Sequence, residues 1–272
     1  MEEPISRTYL FVPATRLERV PKALASGAHA VIVDLEDAVA PAAKREAREA
    51  AARGFANAQS VFIRVNGPET EWFEEDVALC TRLGVLGVVV PKAESAEQMR
   101  YVGSLLGPDA ILLPLVETAR GFANAAALCG VSGVQRLVFG SIDFQLDLGI
   151  TGDREELLYF RSNLVVVSKL AAIQPPVDGV TVDIENLERV RDDALYAKRL
   201  GFGGKLCIHP KQIAPVNECF SPSPEEVAWA KRVVDAAGGA QGGAVQVDGK
   251  MVDRPVLVQA QGILRESQRS SD

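Results

Sequence analysis

Ala30-Val-Ile-Val-Asp34-Leu-Glu36-Asp37 runs four apolar residues straight into three acids. A short run of Val and Ile without polar alternation is the mark of a strand buried on both faces. The acids follow at its C-terminal end. The same arrangement recurs along the chain. Apolar runs lie at Tyr9–Val12, Ala30–Leu35, Val61–Val65, Gly87–Val90, Ile111–Val116, Leu137–Ile142, Val177–Val182 and Leu206–Ile208. Between them, helical spacing of Ala, Glu, Lys and Arg predicts helices at Pro41–Ala58, Glu71–Leu83, Ser95–Leu106, Glu155–Ile173 and Glu185–Leu200. Eight strands alternating with helices predict a TIM (β/α)8 barrel, because eight units suit closure better than an open doubly wound sheet.

The groups that follow the runs are, in order, Pro13; Asp34, Glu36 and Asp37; Arg64 and Asn66; Lys92; Glu117; Asp143; Asp183; and His209. Polar side chains thus gather at one end of nearly every strand. In a barrel that end is the catalytic face, where residues distant in the chain converge. Residues 1–221 are expected to form the barrel. Residues 222–272 exceed what it needs. They comprise a helix over Pro222–Ala237, a Gly-rich stretch at 238–243, a hairpin turning at Asp248-Gly249 and a last helix from Pro255 to Glu266. A glycine hinge before a structured tail is the pattern of an arm that reaches a neighbouring subunit.

Composition removes other classes. Of 272 residues, 47% are apolar and 24% charged, which suits a large core rather than disorder. The 29 basic residues against 36 acidic ones leave a formal charge of −7, so no nucleic-acid partner is expected. No apolar run approaches the roughly 20 residues of a membrane span, and the acidic Met-Glu-Glu-Pro start is unlike a secretory signal. A cytoplasmic protein is expected. Cys80, Cys129, Cys207 and Cys219 form no CxxC pair, so they are read as core thiols rather than as a metal or disulfide framework.

Several of the strand-end residues can carry chemistry. Glu117 and Asp143 end neighbouring strands about 4.8 Å apart. They could share a hard divalent cation with water and a chelating substrate, or be surface acids. Arg64, within Phe-Ile-Arg-Val-Asn, could bind a carboxylate bidentately or pair internally with Glu36 or Asp37. Lys92 could form a Schiff base or neutralise nearby acids. Asp34 and Glu36 share a strand face and Asp37 begins the loop. These acids could hold metal-bound water or orient Arg64 and Lys92. His29 precedes the second strand and is read as structural, whereas His209 is a site candidate.

Taken in order, Arg7-Thr-Tyr-Leu-Phe-Val-Pro13, Val33-Asp-Leu-Glu-Asp37, Phe62-Ile-Arg-Val-Asn66, Val90-Pro-Lys92, Val116-Glu-Thr-Ala-Arg-Gly121, Phe139-Gly-Ser-Ile-Asp143, Cys207-Ile-His-Pro210 and Gly249-Lys-Met-Val-Asp-Arg-Pro255 resemble the HpcH/HpaI aldolase/citrate lyase family, in its citrate lyase β-subunit-like branch. The resemblance implies a barrel working as a homo-trimer or hexamer, with Mg2+ on Glu117 and Asp143. It implies a lyase that cleaves or forms the C–C bond of a 3-hydroxyacyl-CoA such as citryl-, malyl- or citramalyl-CoA. The small-molecule partners are then an oxo acid and a CoA thioester. Arg64, Glu117, Lys92 and Glu36 would bind substrate. Arg64, Asp37 and Asp253 would be catalytic, Asp253 reaching a neighbour's site. Many relatives carry Ala-Glu-Asp where this chain has Ser141-Ile142-Asp143. The alternatives are an aldolase acting on free 2-oxo acids, a β-type subunit that needs acyl-carrier partners, and a silent relative that binds oxo acids only.

Overall fold

Strands β1 (Thr8–Pro13), β2 (Ala30–Asp34), β3 (Phe62–Arg64), β4 (Gly87–Val90), β5 (Ile111–Val116), β6 (Val138–Phe139), β7 (Val177–Asp178) and β8 (Gly204–Cys207) are parallel and pair in chain order. The closing pair is β1 with β8, so no sheet edge remains. This is the computed structural model of the chain, and it describes residues 5–55, 57–238 and 245–269. They fall into two compact units, Ile5–Val216 and the segment from Asn217 onward. The first is the (β/α)8 barrel.

Alternation along each strand decides what faces inward. Tyr9, Ile32, Phe62, Val89, Leu113, Leu115, Val138, Val177 and Leu206 pack together as the barrel core. The alternate residues, such as Val31, Val33, Ile63, Val88 and Leu112, are equally buried, because helices cover the outer face of a parallel sheet. Gly87 shows how tight the closure is. A Cβ there would lie 2.3 Å from the Ile111 carbonyl oxygen and 2.8 Å from the Phe62 ring. Below the core, fully buried Arg136 donates to the carbonyls of Ser6 (2.7 Å), Pro175 (2.7 Å) and Pro176 (3.3 Å). It ties together the starts of β1, β6 and β7.

Some expectations need correction. The sixth run is strand only at Val138–Phe139; Ser141–Leu148 is a helix, so Asp143 lies in a first helical turn rather than at a strand end. A short polar residue beyond Gly140 starts a helix more readily than it extends a strand. The seventh run is strand only at Val177–Asp178, and Asp183 sits five residues beyond, in a loop. Its Oδ1 accepts from the amides of Glu185 (3.1 Å) and Asn186 (3.0 Å), a local turn that binds its own backbone. The helix expected at Pro41–Ala58 is shorter, Lys44–Ala52, because Gly54 adopts φ 86° and breaks it.

In the second unit, helix Pro224–Gly238 packs on helix Arg254–Arg269 through Ala230, Val233 and Ala260. Strands β9 (Val245–Val247) and β10 (Lys250–Val252) form the antiparallel hairpin turning at Asp248-Gly249, both with positive φ. Residues 239–243 of the Gly-rich stretch lie outside the described residues. All four cysteines are buried. Among the described residues no helix is long and apolar enough to cross a membrane.

Candidate active site

Strand parity carries three charged side chains to the barrel mouth. Asp34 follows Ala30 and Ile32, Arg64 follows Phe62, and Glu117 follows Leu113 and Leu115, each at the inward spacing of two residues. The pairing register sets Asp34 directly opposite Arg64. Arg64 Nε donates to Asp34 Oδ1 and Nη2 to Asp34 Oδ2, both at 2.7 Å. Asp34 is itself fixed by accepting from the amides of Glu36 (2.9 Å) and Ala38 (3.0 Å). This bidentate fork is the strong geometry for an arginine and a carboxylate. Arg64 Nη1 lies 3.0 Å from Glu36 Oε2 and 3.5 Å from Asp37 Oδ2, and its guanidinium stacks 4.8 Å from the Phe11 ring. The internal pairing expected for Arg64 therefore exists, with Asp34 as its main partner. Burial opposes the Arg64 charge, but the hydrogen bonds and charge of Asp34, then Glu36 and Asp37, hold it protonated.

Glu36 bridges two cations, with Lys92 Nζ 3.2 Å from its Oε1. Burial raises the Glu36 pKa, Arg64 and Lys92 oppose the rise, and Asp37 adds to it. Lys92 has the opposite balance. Burial lowers its pKa, but Glu36, Glu117 and Asp37 outweigh that and raise it. A lysine held protonated is a poor Schiff-base nucleophile, so Lys92 neutralises acids here. Its backbone takes a left-handed turn, φ 46°, unusual for a residue with a Cβ. That turn aims its amide at Glu117 Oε1 (2.8 Å). Buried Lys44, which sequence reasoning misses, donates to the carbonyls of Leu35 and Glu36, each at 3.0 Å, and lies over the Trp72 ring. It holds the acidic loop from behind. A lysine in a helix N-terminal turn carries no sequence signal of such a role.

Glu117 is 2% exposed. Burial, then Glu36, then Asp143 push its pKa up to about 8. Asp143 reaches the same cavity from its helix: the cavity, of about 440 Å³, is lined by Asp34, Asp37, Arg64, Glu117 and Asp143 among others. Two hard carboxylate groups in one cavity, one of them binding a proton because it is buried and acids crowd it, are a donor set suited to a hard divalent cation. Among the described residues no group of three or more His, Cys, Asp and Glu could enclose an ion. Water and substrate oxygens would complete the shell.

Gly140, for which the sequence alone suggests no role, makes room for Glu117. A Cβ on it would sit 2.6 Å from both Glu117 Cβ and Oε2. His209 does not join the site. Its Nδ1 accepts from the Lys211 amide (3.2 Å), and with Gln212 it caps a short 3-10 turn at Pro210–Gln212. His29 is structural, paired with Thr8. Asp178, Lys205 and Arg161 make a buried charge group on the outer side of β7 and β8, with Arg161 Nε donating to Asp178 Oδ1 at 2.9 Å. Asp253, in the second unit, is exposed and caps helix Arg254–Arg269, its Oδ1 3.3 Å from the Val256 amide.

Substituting Gly140→Ala must displace the Glu117 carboxylate. Weakening of divalent-cation binding by about tenfold or more, the scale of support lost around a ligand, is the expected result in calorimetric titration. Unchanged affinity would show that Glu117 is not a ligand or that the strand end relaxes freely.

Residues 7–210 match the HpcH/HpaI aldolase/citrate lyase family. A citrate lyase subunit beta-like protein of Deinococcus radiodurans is 37% identical, with 95% of this chain and 96% of that protein aligned. The mitochondrial citramalyl-CoA lyase of Homo sapiens is 32% identical over 94% of this chain and 83% of its own length. Among solved structures, CitE from Mycobacterium tuberculosis in complex with magnesium, acetoacetate and coenzyme A superposes with a TM-score of 0.88 at 33% identity, covering 97% of this chain and 98% of that one. With its closed barrel and its acid-rich mouth, this chain belongs to the HpcH/HpaI aldolase/citrate lyase family.

Proposed function

We propose that the protein is a Mg2+-dependent carbon–carbon lyase that cleaves, or in reverse condenses, a 3-hydroxyacyl-CoA, giving an oxo acid and acetyl-CoA. The observation that carries this reading is the cavity that buried Glu117 and half-buried Asp143 line together with the Asp34–Arg64 fork. The magnesium, acetoacetate and coenzyme A of the similar CitE structure support it. Mg2+ held by Glu117 and Asp143 would supply Lewis acidity to the hydroxyl and carboxylate oxygens of the substrate.

The chain's own residues do the rest. Arg64 holds the substrate carboxylate. Of its three acidic partners, Asp37 is the farthest and the most open, with a side chain 60% exposed, so it is the one that yields to an incoming carboxylate. Asp37 then lies beside the 3-hydroxyl and takes its proton. Glu36 and Lys92 keep the guanidinium oriented. As the bond between C2 and C3 breaks, C3 becomes the oxo carbon, the bonding pair forms the C1=C2 bond of a thioester enolate with its charge on the thioester carbonyl oxygen, and C2 must then gain a proton. Asp253, delivered from the tail of a neighbouring subunit in a homo-trimer or hexamer, is the group assigned to donate it. Condensation runs the same steps backward, with Asp253 as base.

Citryl-, malyl- and citramalyl-CoA incubated separately with the full-length protein test the reading. Release of acetyl-CoA from at least one, abolished by EDTA, is expected. If none is cleaved by folded, Mg2+-loaded protein, the reading fails in favour of an aldolase on free oxo acids or a subunit awaiting partners.

Replacing Asp253 by Asn keeps an equally good helix cap, so stability should stay within about 0.5 kcal/mol. Turnover should fall by about 100-fold or more, the usual worth of a positioned acid, with Mg2+ affinity intact. Equal loss of thermal stability would mean that the residue is a cap and nothing else.

Mg2+ must compete with the proton that Glu117 holds up to about pH 8. Below that pH its apparent affinity should fall, by at most about tenfold per unit, and binding should release up to about one proton. Calorimetry in buffers of different ionisation enthalpy measures both. A flat affinity between pH 6 and 9 would remove Glu117 from the ligand set.

A further inference from the structure

The cavity is lined by two unlike sets of side chains. Asp34, Asp37, Arg64, Glu117 and Asp143 are charged; Phe11, Leu115, Ile142, Val180, Leu206 and Ile208 are apolar. Ile142 stands immediately before Asp143 in the first turn of helix Ser141–Leu148 and is 46% exposed. An isoleucine left half open beside a carboxylate cluster offers a surface to whatever enters. Among the described lining residues Arg64 is the sole cation, and Asp34, Glu36 and Asp37 already surround it. The other two cations coupled to these acids, Lys44 and Lys92, line the adjoining cavity with Trp72 instead.

A substrate with one carboxylate can use Arg64 and a divalent cation. A second carboxylate, on the substituent of the carbinol carbon, would meet the apolar side chains or the acids. Apart from the Ser141 hydroxyl, the lining side chains offer it no donor beyond Arg64, and a charge so weakly paired loses most of its hydration without compensation. A methyl or ethyl group on the same carbon would be buried favourably against Ile142 and its neighbours.

We propose that Ile142 is the specificity-determining residue of this site, selecting substrates whose carbinol carbon bears a small alkyl group over those bearing a second carboxylate. The inference rests on the lyase reading and narrows it. In the condensing direction, the preferred oxo acids are pyruvate and 2-oxobutyrate. Glyoxylate, with no group to bury, is weaker, and oxaloacetate is weakest.

The test is calorimetric binding of these four acids to the Mg2+-loaded full chain, with kcat/KM for cleavage of citramalyl-, malyl- and citryl-CoA alongside. Pyruvate should bind about tenfold or more tightly than glyoxylate, the scale of one buried methyl group. It should exceed oxaloacetate by about 100-fold, and the thioesters should follow the same order. Ile142→Ala should shrink the pyruvate-to-glyoxylate ratio. Ile142→Lys, which supplies the missing cation, should narrow the pyruvate-to-oxaloacetate ratio by about tenfold or more; circular dichroism checks that both variants fold. Oxaloacetate binding as well as pyruvate, or ratios unmoved in both variants, overturns the inference while thioester cleavage leaves the lyase reading standing. No binding of any oxo acid, together with no cleavage, overturns both.

Discussion

The fork between Asp34 and Arg64 organises the mouth of the barrel. It spans β2 and β3 at the last residues of each, where both chains leave the sheet. Burying an arginine without a carboxylate would be costly, and burying the carboxylate without the arginine equally so. Each is placed by the other. From this pair the remaining contacts follow in order: Asp34 anchors the amides of Glu36 and Ala38, Glu36 touches Arg64 and Lys92, and the Lys92 amide holds Glu117. The chain of contacts crosses four strands, passing through the adjoining cavity at Glu36 and Lys92.

Two buried arginines show how differently a barrel can use the same side chain. Arg136, at the base, is satisfied by carbonyl oxygens that close the strand starts, and burial lowers its pKa. Arg64, at the mouth, sits among three acids that keep it charged. The first is a structural plug. The second leaves an excess of negative charge beside it, and burial, reinforced by that excess, keeps Glu117 protonated well above the ordinary carboxylate range. A site built in this way favours a dication and an anion arriving together, since neither alone balances the acids and Arg64.

Much of this arrangement is legible in the order of residues alone. Short Val- and Ile-rich runs predict strands covered on both sides, and the period of two carries Asp34, Arg64 and Glu117 inward along with the apolar residues that precede them. What is not legible has local causes. Asp143 reads as a strand end, but β6 stops after two residues and a helix begins at Ser141. His209 reads as a site residue because it follows a strand, yet its ring serves the backbone of the next turn. For Arg64 the neighbours in loop sequence, Glu36 and Asp37, are the expected partners; the register gives it Asp34 first.

The amino-acid sequence by itself determined the alternation of strands and helices, the eightfold count and the residue types at the strand ends, because these depend on side-chain period and on contacts a few residues apart. Only the tertiary structure decided which acid meets which cation, where Gly140 must yield space to Glu117, and that Ile142 faces the cavity. Those outcomes depend on barrel closure and strand register, which bring positions 34, 64, 117 and 142 to one mouth. Burial there replaces water with neighbouring charges as the environment that sets each group's protonation.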